Sequence, residues 1–89
     1  MIEAKQAVLI AKSKAEEMLG AGTSNLEEIE RESYKDREVW SITLSFMRNL
    51  DAFSAYMRLN TDPFQYKRFL IDVETGELLA MKLREFALP

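Results

Sequence analysis

The segment YKRFLIDVETGELLAMKLREF, residues 66–86, has the pattern of two β-strands joined by a tight turn. Apolar residues recur at every second position on both sides of the turn, at Phe69, Ile71, Val73, Leu79, Met81 and Leu83. Between them, ETGE at 74–77 supplies the glycine that a tight hairpin needs. We therefore expect an antiparallel hairpin with both apolar rows facing the core.

A third strand is predicted upstream, at about residues 38–47. Large apolar residues alternate there with hydroxyl residues, in the order Trp40, Ser41, Ile42, Thr43, Leu44, Ser45 and Phe46. This period of two predicts that the large side chains face the core and that the hydroxyls face outward. If Trp40 is buried, its indole N–H needs a hydrogen-bond acceptor.

Two further elements precede that strand. Residues 2–19 carry an alanine-rich apolar stripe at helical spacing, which predicts a helix able to lie close to a sheet. Gly20 and Gly22 predict where this helix stops. Residues 26–33 alternate glutamates with Ile29 and other residues, a pattern typical of a charged strand at a protected sheet edge. The acidic run could instead hold a hard cation, although such sites usually gather ligands from several elements.

The segment 48–65 fits more than one pattern. Phe53 and Met57 have a spacing that suits either a strand or a helix, and Asp62-Pro63 favours an extended residue and a turn. We interpret the segment as a long connection with at most a short ordered piece. Its large apolar side chains either cover the core or contact a partner.

Together these elements predict one α+β domain over residues 1–89. The N-terminal helix packs on a four-stranded antiparallel meander, with the long connection between the second and third strands. The strands are expected at about 26–33, 38–47, 66–73 and 77–84. Because one helix covers one side of a sheet, the other side is left to water or to a partner.

Composition excludes several classes of function. The net charge of −3 argues against nucleic acid, and the chain contains neither cysteine nor histidine. Disulfides, thiolate metal sites and the commonest general base are therefore absent, and we expect no catalytic residue, cofactor or metal. No stretch approaches the roughly 20 apolar residues that span a bilayer, and the start carries an acid at Glu3. We therefore expect a cytoplasmic protein that is not bound to a membrane.

Three segments resemble the PepSY-type domain, a small cystatin-like module of a helix and a sheet. They are EAKQAVLIAKSKAEEMLG (3–20), VWSITLSF (39–46) and FLIDVETGELLAMKL (69–83), the last with an Asp-x-x-Thr-Gly-x-Leu pattern. The resemblance implies the same fold without catalytic residues. Members of that family are often secreted or membrane-attached, and some restrain peptidases. This chain departs from the pattern in its longer 48–65 connection and in carrying no secretion signal.

The function expected from these observations is that of a non-enzymatic binding module. Its partner would be another protein or a second copy of the chain, bound through the outer sheet face and the 48–65 connection. The candidate surface combines apolar and basic side chains, a common composition for an interaction patch. It consists of Tyr56, Met57, Arg68, Leu70, Leu78, Ala80, Lys82 and Arg84. Two alternatives remain open: a homodimeric structural domain, or a small-ligand-binding protein or enzyme with a pocket between helix and sheet.

Overall fold

The structure is a computed structural model that describes residues 1–20, 23–47 and 64–83. Its elements are α1 (Ala4–Leu19), β1 (Asn25–Tyr34), β2 (Arg37–Met47), β3 (Phe64–Asp72) and β4 (Leu78–Leu83). The four strands form one antiparallel sheet in the order β1-β2-β3-β4, and α1 packs on one of its faces. The predicted α+β fold is confirmed. Phe64 and Gln65, which we had expected in the connection, belong to β3, and the rest of 48–65 lies outside the described residues.

Both ends of α1 are fixed by local sequence. Glu3 is the N-cap residue, and its backbone N–H donates to the Gln6 side-chain oxygen at 3.0 Å in a capping box. Gly20 closes the helix in the left-handed conformation with φ 67°, and its N–H donates to the Glu16 carbonyl. Glycine takes this conformation without the steric cost of a Cβ atom, so Gly20 sets the end of the helix.

The core lies between α1 and the two central strands. Ala7, Ala11 and Ala15 form the buried stripe of the helix. They pack against buried side chains of β2 and β3, namely Ile42, Leu44, Phe69 and Ile71. Small side chains let the helix axis approach the sheet closely, so the larger side chains of β2 and β3 fill the space between the two layers.

Trp40 joins the N-terminus to this core. Its indole N–H donates to the Ile2 carbonyl at 3.1 Å, which confirms the expectation that the ring needs an acceptor. The Ile2 N–H in turn donates to the Val73 carbonyl at 2.7 Å, just after β3. The guanidinium of Arg31 lies over the Trp40 ring, 5.0 Å from its centroid. These contacts tie the start of the chain to the middle of the sheet.

The two hairpin turns follow from their sequences. Lys35 and Asp36 both have positive φ, which is the two-residue turn whose twist matches that of the flanking strands. In the second turn, Gly76 has φ 78°, and a Cβ at that position would lie 3.3 Å from Ile10 Cδ1 of α1. A glycine is therefore needed there for backbone conformation and for the approach of the helix.

Two irregularities change which side chains share a face. In β1, Glu27 is an extra residue between Leu26 and Glu28. Between β3 and β4 the register shifts after Leu70, so that Ile71 pairs with Leu78. Leu78 therefore packs against the core on the α1 side, where we had expected Leu79. Leu83 shares that side but is 54% exposed, because α1 packs mainly on β2 and β3. The expected core role of Leu83 is wrong.

We predict unequal costs for two truncations on this face. Ile71→Ala should lower the free energy of unfolding by about 2–5 kcal/mol, because Ile71 is fully buried and the change leaves a cavity. Leu83→Ala should cost only about 0.5 kcal/mol, since the side chain is largely in water already. Urea unfolding followed by circular dichroism measures both. Equal losses would contradict the packing described for β4.

Candidate functional site

The predicted interaction surface does not form one exposed patch. Tyr56, Met57 and Arg84 lie outside the described residues. Leu70 faces away from α1 as expected, but it is only 1% exposed, so its predicted place on an open surface is wrong. Leu78 lies on the opposite face of the sheet because of the register shift. The structure brings together only the remaining three residues, which are Arg68, Ala80 and Lys82.

The sheet is strongly curved on the side where Leu70 lies. The axes of β1 and β4 would be about 14 Å apart in a flat four-stranded sheet. Yet Lys82 Nζ of β4 lies 5.0 Å from the ring centroid of Tyr34 in β1, at the diagonally opposite corner. Arg68 of β3 also reaches across β2 to Glu32 of β1, with 3.3 Å between nitrogen and oxygen. The face opposite α1 is therefore concave, and long side chains from both edges cross it.

A row of hydroxyls lines the centre of this concave face. Ser41, Thr43 and Ser45 of β2 are each 2% exposed, which corrects the expectation that they face water. The Ser45 hydroxyl donates to the Glu27 carboxylate at 2.7 Å, so the extra residue of β1 satisfies one of them. Among the residues that the structure describes, the Thr43 hydroxyl has no hydrogen-bond partner. A buried hydroxyl without a partner loses its hydration and gains nothing in return.

We predict that Thr43→Val stabilises the protein. Valine keeps the branched shape and removes the unpaired hydroxyl, so the free energy of unfolding should rise by about 1 kcal/mol. Ser45→Ala is the matched change at a paired hydroxyl and should destabilise, because it leaves Glu27 without its donor. Thermal unfolding of the two variants beside the parent chain checks the prediction. A lower melting temperature for Thr43→Val would show that the hydroxyl is satisfied in solution.

A polar cleft lies at the end of the sheet where the two hairpin turns meet. Its volume is about 390 Å³, and its lining consists of Asp36, Arg37, Glu38, Asp72, Glu74 and Thr75. Asp72 organises it. The carboxylate accepts the Glu74 N–H at 2.7 Å and the Thr75 N–H at 3.3 Å, and it pairs with Arg37 at 2.9 Å. The Asp-x-x-Thr-Gly pattern therefore holds the β3–β4 turn and joins it to the β1–β2 hairpin.

These contacts favour the charged form of Asp72. The Glu74 N–H is the largest influence that lowers the pKa of the Asp72 carboxyl below its ordinary value of 3.8. The Thr75 N–H and Arg37 act in the same direction, while burial opposes them. Because folding lowers this pKa, the carboxylate stabilises the fold fully above pH 3.8. The contribution is lost as the pH falls through the lower pKa of the folded state.

The loss of stability caused by Asp72→Asn should be greatest at the pH values where the Asp72 carboxylate is charged in the parent chain. The amide can still accept from the two backbone N–H groups, but it loses the charge that pairs with Arg37. At pH 7 the variant should have a lower urea midpoint than the parent chain, and the difference should shrink below about pH 4. Glu74→Gln, at an exposed site beside it, is the control. A difference that stays constant down to pH 2 would contradict the role of the charge.

A smaller cleft of about 210 Å³ adjoins the first on the concave side. Tyr34, Lys35, Arg37 and Leu79 line it. The Tyr34 ring is approached by two ammonium groups, with Lys35 Nζ at 5.3 Å and Lys82 Nζ at 5.0 Å from its centroid. The contact between Lys82 of β4 and Tyr34 of β1 joins the two edges of the sheet, which is a structural role.

An apolar flank lies on the side of the sheet that carries α1, and the sequence pattern did not predict it. We define the β1 flank as Leu26 and Ile29, which point to the α1 side and pair with Leu44 and Ile42 of the core strand β2. They remain 41% and 39% exposed. The cause is geometric, since a helix about 10 Å across does not cover four strands. The feature of the sequence that could have indicated the β1 flank is that Leu26 and Ile29 interrupt an otherwise charged and polar strand.

The alternatives raised for this chain find limited support in the geometry. In the part of the chain that the structure describes, no three acidic side chains converge as a metal site would require. The helix–sheet interface, where a ligand pocket was considered, is filled at its centre by side chains with at most 1% exposure. No helix among residues 1–20, 23–47 and 64–83 is long and apolar enough to cross a membrane.

No family model, no curated protein and no solved structure matches the chain. The resemblance to a PepSY-type domain thus stays a prediction.

Proposed function

We propose that this protein is a non-enzymatic interaction module that binds another protein, with the cytoplasm as its compartment. The observation that carries the proposal is the β1 flank. Leu26 and Ile29 continue the core past the edge of α1, and about two fifths of each side chain is left in water. Apolar side chains continuous with a core and bordered by charge are typical of a surface that a partner covers.

The concave face offers fewer exposed side chains for binding than the sequence pattern predicted. Its central residue Leu70 is buried, and its basic residues Arg68 and Lys82 already contact Glu32 and Tyr34. We therefore move the proposed binding surface from the outer face to the β1 flank. Participation of Tyr56 and Met57 stays a prediction.

The absence of catalysis is also part of the proposal. It is supported by the state of the polar groups in the larger cleft, where Asp72 and Arg37 pair with each other and with the turn backbone. A group that works as an acid, base or nucleophile needs to be directed at a substrate position. These side chains are instead directed at the protein itself.

Site-specific photocrosslinking tests the binding role. The variant replaces Ile29 with benzoylphenylalanine in the full chain, which is expressed in its host and irradiated. The control replaces Leu9, an apolar residue of α1 that is 62% exposed and lies away from the flank. We expect discrete crosslinked products from position 29 and none of the same mass from position 9. Identical products at both positions, or none at position 29, would refute the proposed surface.

Solution mass separates a partner from a second copy. Light scattering of the purified chain should give the monomer mass of 10.3 kDa, since the proposal assigns the flank to a different protein. A doubled mass that reverts to 10.3 kDa in Ile29→Lys would instead establish the homodimer.

A further inference from the structure

Among the described residues, β1 is an open edge of the sheet. It is ten residues long and pairs only with β2, so no strand within the described ranges occupies its other side. An antiparallel edge strand presents an alternating set of backbone N–H and C=O groups to any chain that lies beside it. The extra residue Glu27 interrupts the regular backbone, which leaves about seven residues of even edge, Glu28–Tyr34.

Negative charge predominates along this edge. β1 contains four glutamates and one arginine. Arg31 points to the α1 side, where its guanidinium lies over Trp40 and bonds to Glu38. Glu30 points to the opposite side in the row of Ser41 and is exposed. On the concave side a neighbouring strand would meet the exposed carboxylate of Glu30, while Glu32 already pairs with Arg68.

This pattern disfavours a second copy of β1 as the neighbour in the registers centred on Glu30 or Ile29. Antiparallel pairing of two β1 strands about Glu30 would place Glu30 against its own copy and Glu28 against Glu32. Centring the pair on Ile29 would place Glu28 against Glu30 instead. Like charges directly opposite each other destabilise a sheet. Charge thus opposes self-association in these registers and favours a strand of opposite charge.

We propose that β1 binds an extended basic peptide segment of a partner protein as a fifth strand of the sheet. Lysine or arginine at alternate positions of the segment faces the carboxylate side, next to Glu30. Apolar side chains at the intervening positions lie on the α1 side and cover Ile29, the apolar residue of the even edge. Main-chain hydrogen bonds give the affinity, and the alternation gives the specificity. This inference rests on the proposed interaction function and names the class of partner that the β1 flank takes.

Defined peptides test the requirement for alternation. A fluorescein-labelled ten-residue peptide of alternating lysine and valine is titrated with the intact protein, and anisotropy is measured. The comparison peptides are alternating glutamate and valine, and a block peptide of five lysines followed by five valines. Only the first should bind, and its affinity should fall as salt is raised. Equal affinity for the block peptide would mean attraction by charge alone and would overturn the proposal.

Backbone methylation tests the strand geometry. Two versions of the alternating peptide carry N-methyl groups, one at the lysine positions and one at the valine positions. In a paired strand only every second N–H points to the neighbour. One version should therefore lose binding and the other should retain it. Loss in neither version would rule out pairing with the edge of β1.

A matched pair of protein variants locates the site. Glu30→Lys reverses the charge in the centre of the edge, and Glu16→Lys makes the same change on the exposed side of α1. Glu30→Lys should weaken the alternating peptide about tenfold, while Glu16→Lys should change its affinity by less than about twofold. Circular dichroism confirms that both fold. Equal weakening by the two variants would show that only net charge matters.

The peptide and crosslinking experiments fail in different ways. Crosslinked products at position 29 without binding of the alternating peptide would keep the interaction module and reject the basic strand. Absence of both would reject both proposals. A doubled solution mass that reverts to 10.3 kDa in Ile29→Lys would identify a second copy as the occupant of the flank and would also reject the basic strand.

Discussion

Contact between three alanines of α1 and the centre of the sheet determines the rest of this structure. Ala7, Ala11 and Ala15 have no side chain beyond Cβ, so the helix lies low across β2 and β3. Since α1 is placed over these central strands, Ile42 and Phe69 are fully buried. The same placement leaves the outer strands uncovered on that side. The exposure of the β1 flank is thus a consequence of how the core is filled.

The parts of the fold that could be predicted were those with a regular repeat. The alternation around Ile42 and the glycine turn each depend on neighbours along one segment, and both appear where expected. The apolar stripe of the helix is confirmed at Ala11 and Ala15, whereas Met18 and Leu19, which the same spacing placed on it, are exposed. Registers that shift were not predictable. Leu79 is an extra residue in β4 opposite the step from Leu70 to Ile71, and it exchanges the expected faces of Leu78 and Leu79. Nothing in the local sequence fixes on which side of the turn this shift occurs.

The proposed binding surface was predictable only in part, for a related reason. Period-two patterns assign a residue to a face but do not say whether that face is flat or curved. Arg68 and Lys82 are on the expected side, yet that side is curved, and Leu70 on it is buried. The β1 flank was missed because its exposure depends on the width of a helix relative to four strands. That relation exists only in three dimensions.

The link between the two hairpins also bears on how the chain folds. Each hairpin pairs residues that are close in sequence, but β2 and β3 first meet between Met47 and Phe64, across a long stretch of chain. Bringing Met47 and Phe64 together costs loop-closure entropy, and this cost does not arise when either hairpin forms by itself. At the opposite end of β2 and β3, Arg37 forms an ion pair with Asp72, and the Val73 N–H donates to the Glu38 carbonyl. These contacts join one hairpin to the other. The chain thus has two natural halves, 1–47 and 64–83, that could be supplied as separate polypeptides and reassembled along β2 and β3.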